Sequence, residues 1–111
     1  MTTIQENANR IYLKTQEVMQ DVLKFSETIQ HTELIQIKTY LSDIARTAPA
    51  TLLQSMNQER RIDRMRAIII TETYLQEAKD YLNLIERLRF GTTKDLVGRV
   101  EELSKMLAEV A

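Results

Sequence analysis

Residues 3–30 read TIQENANRIYLKTQEVMQDVLKFSETIQ, and the spacing within this stretch decides the fold class. Apolar or small residues stand at Ile4, Ala8, Ile11, Thr15, Val18, Val22, Phe25 and Ile29. The steps alternate between four and three, which is the repeat of a packed helical seam. Tyr12, Met19 and Leu23 widen the stripe, as a bundle helix needs and a two-stranded coiled coil does not. Thr3 and Glu6 have the spacing of a capping box at the start of the helix. At 1.5 Å per residue the helix is roughly 40 Å long.

Working outward, His31-Thr32-Glu33 interrupts the seam, with Thr32 as the expected N-cap of the next helix. A second stripe runs through Leu34, Ile37, Leu41, Ile44, Ala48, Leu52 and Met56 and contains the only proline, Pro49. Proline inside a helix removes one hydrogen bond and clashes with the preceding turn, at about 3 kcal/mol. The periodicity nevertheless continues in phase across it, which predicts one kinked helix or two short ones. After Asn57-Gln58-Glu59, a third stripe runs through Ile62, Met65, Ile69, Ala78, Leu82, Ile85 and Leu88, joined by Tyr74, Leu75 and Tyr81. Gly91 is placed to close that helix in the left-handed conformation. Thr92 and Asp95 have capping-box spacing before the last stripe, Leu96, Val100, Leu103, Leu107 and Val110. Gly98 interrupts this helix, either to admit another backbone or as a tolerated cost of about 1 kcal/mol.

Four helices with short connections imply antiparallel neighbours. The expected architecture is all-α: an antiparallel up-down-up-down four-helix bundle with a Pro-kinked second helix, forming a single domain over residues 1–111.

Composition removes many chemistries. The 111 residues are 43% hydrophobic and 28% charged, the balance of a globular chain. There is no cysteine, hence no disulfide framework, thiolate metal site or cysteine nucleophile. Di-metal helical bundles use Glu-x-x-His pairs, whereas the single histidine, His31, has Thr28 three residues before it. The Arg-x(4–6)-His motif of small helical ribonucleases is also missing, because Lys24, Phe25 and Ser26 occupy the required positions. Two isolated glycines make no phosphate-cradling loop. The residues Met-Thr-Thr-Ile-Gln-Glu-Asn at the start have no basic or apolar region of a signal peptide. The longest apolar run, Ala67–Ile70, is far short of the ~20 residues of a membrane span. A cytoplasmic, non-enzymatic protein with no cofactor, no bound metal, no membrane and no small-molecule substrate is expected.

Two features carry functional content. The first is Glu-Arg-Arg-Ile-Asp-Arg-Met-Arg at residues 59–66, in which Arg60 and Arg64 share a helix face. With Arg87 and Arg89 at the far end of the same helix, Arg60, Arg61, Arg64 and Arg66 are the candidate phosphate contacts, since arginine binds phosphate bidentately. Glu59 and Asp63 accompany them, so a salt-bridge-laced helix surface competes with this reading. The second feature is the run Ile68-Ile69-Ile70, which no single core stripe can absorb. With Tyr74 nearby, it predicts an interface between copies of the chain, for which Ile68, Ile70 and Tyr74 are the candidates.

Residues 35–53, IQIKTYLSDIARTAPATLL, resemble the second helix of the small four-helix bundle proteins known from 23S rRNA intervening sequences. Ala48-Pro49 match that family's small residue and proline, while only Arg46 represents its arginine-rich stretch and Gln54-Ser55 stand where it has an acid-Gly pair. Met65 to Phe90, with Glu77 and Leu82, is similar to the family's long third helix. Gly91-Thr92-Thr93 resembles its turn, and Val100 to Leu107 its closing segment. The family includes the accessory variability determinant of diversity-generating retroelements. The resemblance implies a ring-shaped homopentamer that partners a reverse transcriptase and contacts RNA. Those accessory proteins are strongly basic, and this chain, with a net charge of -1, departs from them. The expected function is therefore an oligomeric adaptor of the retroelement type, and the alternative is a protein-binding scaffold with no nucleic-acid role.

Overall fold

The computed structural model describes the backbone of residues 3–110 and the side chains of residues 8–110. The capping box at Thr3 and Glu6 and the seam position of Ile4 lie outside the described side chains. Four α-helices make up the described chain, and no strand is present among the described residues. They are α1 (Thr3–Glu27), α2 (Ile35–Met56), α3 (Arg61–Arg87) and α4 (Lys94–Val110). α1 packs on α2 and α4, and α3 packs on the same two helices, so each helix has two neighbours around one core. The body measures 48 × 21 × 17 Å, one helix length by two helix widths. This arrangement is consistent with a four-helix bundle.

The stripes of α1 and α2 bury largely as their spacing demands, and so does the middle of the α4 stripe, although at its ends Val97 is buried in place of the half-buried Leu96 and Val110 is exposed. Ile11, Val18, Val22, Leu41, Ile44, Leu52, Val100, Leu103 and Leu107 all lie in the core. Hydroxyl residues share the seam because each finds an acceptor inside its own helix. Thr15 donates to the Ile11 carbonyl at 2.8 Å, and Ser55 donates to that of Leu52 at 2.6 Å. Ser26 donates to the Leu23 carbonyl at 2.7 Å and meets the Ser42 hydroxyl across the α1–α2 contact at 2.9 Å. Such residues are thin enough to let helices approach without leaving an orphaned polar group. Pro49 lies inside α2, which is assigned as one helix from Ile35 to Met56.

On α3 the expected stripe has the wrong phase in its first half. The inward residues are Ile68, Thr71, Leu75, Ala78, Leu82 and Ile85, while Ile62, Ile69 and Leu88 are exposed. Thr71, whose hydroxyl donates to the Ala67 carbonyl at 2.9 Å, takes the seam position that a purely apolar pattern passes over.

Three helix ends also differ from the expectation. Thr32 does not cap α2. It opens a one-turn 3-10 helix, Thr32–Leu34, that tucks Leu34 into the core, and α2 begins afterwards at Ile35. Gly91 does not close α3. Arg89 carries the positive φ, at 64°. Its N–H donates to the Glu86 carbonyl at 2.9 Å and the Phe90 N–H to that of Ile85 at 3.1 Å. These are the paired hydrogen bonds of a Schellman motif with arginine where glycine is usual. Gly91 instead passes under the Phe25 ring, where an added Cβ would sit 3.4 Å from Cζ. Nor does Thr92 lead into α4. The residue before Lys94 is Thr93, fully buried, whose hydroxyl donates to the Leu82 carbonyl at 2.7 Å. Its N–H donates to Glu86 Oε1 at 2.8 Å, so this turn is pinned to α3 from both sides.

Candidate functional site

The basic residues of α3 form two groups, not one. Arg60, Arg61, Arg64 and Arg66 surround its first turns, and Arg87 and Arg89 its last. Arg61 and Arg87 are separated by about 39 Å of helix at 1.5 Å per residue. A nucleic-acid strand touching both groups must therefore run the length of the molecule.

The members of the first group are not equivalent. Arg64 Nη1 donates to the carbonyls of Gln58 at 3.1 Å and Glu59 at 2.7 Å, which holds the α2–α3 connection. Arg60 Nε lies 3.4 Å from Asp63 Oδ2, a pair at the surface, with Arg60 exposed and Asp63 half-buried, of small energetic weight. Arg61 and Arg66 are exposed and pair with no carboxylate among the described residues. At the far end Arg87 and Arg89 are exposed as well. Arg99 on α4 belongs to neither group: it is partly buried against α1, 2.7 Å from Asp21 and 3.8 Å from Glu17.

The isoleucine run divides in the same way. Ile68 is 9% exposed and belongs to the chain's own core, whereas Ile69 is 56% and Ile70 42% exposed. Ile62, 51% exposed, lies two turns before Ile69 on the same side. At roughly 100° per residue, Ile62, Ile69, Thr73 and Leu84 fall within an arc of about 60° facing away from the core. Ile70 and Tyr74 turn toward α2, with Tyr74 half-buried. Beyond them Tyr81 stacks on Tyr40 of α2, with centroids 5.5 Å apart and planes 22° from parallel. Of the expected interface residues, Ile70 and Tyr74 therefore reach the surface and Ile68 does not.

A third feature had no signal in the sequence. At the end of the molecule that holds the first turns of α3, all four helices contribute to a cavity of about 230 Å³. Ile11, Leu52, Met56, Met65, Ile68 and Leu107 form its apolar wall, and Arg61 and Arg64 also line it. Each wall residue reads as ordinary core in its own helix, and the space among them depends on how the four helix ends meet.

Among the described residues no cluster of acidic or imidazole side chains could hold a metal ion, and no helix is long and apolar enough to cross a membrane. In comparisons with family models, curated proteins and solved structures, nothing matches the chain significantly.

Proposed function

We propose that the chain is a non-enzymatic, self-associating helical adaptor. One observation carries this reading: α3 covers its inner face with Ile68, Thr71 and Leu75, yet still presents Ile62, Ile69 and Ile70 to solvent. A helix apolar on two sides is suited to two interfaces. Covering a half-exposed isoleucine contributes about 1 kcal/mol, so three per copy, repeated around a ring, favour assembly. The contact is formed by Ile62, Ile69, Ile70 and Tyr74, with Ile68 as the packing layer beneath. A subunit number of five follows from the resemblance to the intervening-sequence proteins alone.

Within each copy the helices run up-down-up-down, and Pro49 bends α2. The antiparallel order is supported by residue pairs whose numbers rise on one helix as they fall on the next, Lys14 with Glu102 and Asp21 with Arg99. In this reading the assembly works in the cytoplasm beside a reverse transcriptase. Arg60, Arg61, Arg64, Arg66, Arg87 and Arg89 face RNA phosphates, and a ring multiplies patches that are weak singly.

A second reading, a scaffold that binds only protein, is favoured by the engagement of Arg64 and Arg60 within the chain and by the net charge of -1. Size exclusion with light scattering, in low and high salt and with a generic RNA, separates the two. The adaptor reading expects an oligomer that shifts with RNA at low salt and loses it at high salt, because each phosphate contact releases counterions. An oligomer indifferent to RNA at every salt selects the scaffold. A monomer at micromolar concentration overturns both.

A further inference from the structure

The cavity at the α3 N-terminal end has the make-up of a binding site. Its wall, Ile11, Leu52, Met56, Met65, Ile68 and Leu107, comes from all four helices. The one hydroxyl at its edge, on Ser55, is already donated to the Leu52 carbonyl and offers the interior no donor. An apolar space of this kind gains nothing from water and gains contacts from an alkyl chain. Two methionines in the wall can adjust to the shape of an occupant.

The mouth is positive. Arg61 lines it, is exposed, and pairs with no carboxylate among the described residues. Arg64 sits beside it, oriented by the Gln58 and Glu59 carbonyls. The α3 N-terminus opens at the same place, and its N-cap residue, Arg60, makes no side-chain cap. The Asp63 and Arg64 N–H groups are taken by the Arg60 carbonyl, and the helix dipole at this end favours a negative group. The acids nearby do not cancel this: Asp63 lies beside Arg60, the 59–66 segment carries four arginines against two acids, and Glu109 on the α1–α4 side shares its hollow with Arg10.

We propose that this cavity binds a single-chain aliphatic carboxylate, the alkyl tail among the wall residues and the carboxylate on Arg61. The volume of about 230 Å³ lies below the ~300–1,000 Å³ of drug-sized sites, which selects a chain of medium length over a long one. The site is complete in one copy, so it does not require self-association, and because Arg61 is also a proposed phosphate contact, the titration is run on protein free of RNA.

The test is calorimetric titration of the full chain with decanoate below its micelle concentration, with decanol and inorganic phosphate as comparison probes. Decanoate binds, decanol binds at least tenfold more weakly, and phosphate gives no heat. Arg61→Gln weakens decanoate about tenfold, as loss of a charge-assisted hydrogen bond does, and leaves decanol unchanged. Lys24→Gln, exposed in the last turn of α1 and outside the cavity lining, alters neither. Ala8→Phe fills the cavity from α1 and abolishes binding of both chains, with helicity checked by circular dichroism. A readout on the unmutated protein accompanies it: the methyl resonances of Met56 and Met65 shift with decanoate while that of Met19, at mid-bundle, stays. Absence of decanoate heat, unchanged affinity in a folded Ala8→Phe protein, equal binding of decanol, or a methyl shift at Met19 as large as those at Met56 and Met65 overturns the proposal.

Discussion

Replacing Gly98 by alanine distinguishes two accounts of α4. Gly98 lies well inside α4 and is exposed, and a Cβ built there meets no atom within 4 Å. Within one copy of the chain, nothing requires glycine. The substitution then acts through helix propensity alone, worth about 0.8–1.0 kcal/mol in a helix interior, and through the lower entropy of the unfolded chain. Unfolding of 111 residues carries an entropy of ~2.1 cal/mol/K per residue, so that gain raises Tm by about 4 °C. Thermal circular dichroism at fixed protein concentration reads this directly, and urea unfolding supplies the same free energy with an unchanged m value. The outer face of α3 is the proposed contact, so light scattering of the variant should match the parent. A fall in Tm, or a smaller assembly at the same concentration, would refute the reasoning: a second backbone would then press on Gly98, and the interface would lie on α4.

Other substitutions test individual joints of the fold. Arg89→Gly relieves a positive φ that glycine adopts freely and should raise stability by up to about 1 kcal/mol in urea unfolding, with RNA affinity read in parallel. Thr93→Val removes the buried hydroxyl that adds a second hydrogen bond to the Leu82 carbonyl, and should cost about 0.5–1.5 kcal/mol by the same measurement. Arg99→Ala breaks the contacts to Asp21 and Glu17, and should cost less than about 1 kcal/mol at low salt, with the difference shrinking as salt is added.

The number of helices, the inward faces of α1 and α2 and the middle of that of α4 were legible because one face of each is apolar at helical spacing and the other is charged. The first half of α3 was not legible for a physical reason. Three consecutive isoleucines sit at roughly 100° intervals, so spacing alone cannot say which one points inward. The seam there passes through Thr71, whose hydroxyl is satisfied by its own helix and so buries like an apolar residue. Pattern reading chose Ile69, and packing chose Ile68.

The turn after α3 misled in a related way. Gly91 is the residue best suited to a left-handed position, yet the reversal falls on Arg89. The chain must turn early enough for Thr93 to reach the Leu82 carbonyl and the Glu86 carboxylate. The candidate phosphate contacts were legible as residue types, but not their separation into two ends or the commitment of Arg64 to loop carbonyls. The cavity was not legible at all, because it is a property of how four helices meet.

The central claim is that copies of the chain associate through the outer face of α3. The most direct measurement is light scattering of the parent chain and of Ile69→Lys at matched micromolar concentration, with circular dichroism on both. Ile69 is more than half exposed, so a lysine there leaves the fold of one copy intact and places a charge in the proposed contact. The account predicts an oligomeric parent and a helical, monomeric variant. A monomeric parent, or a variant that assembles as the parent does, contradicts it.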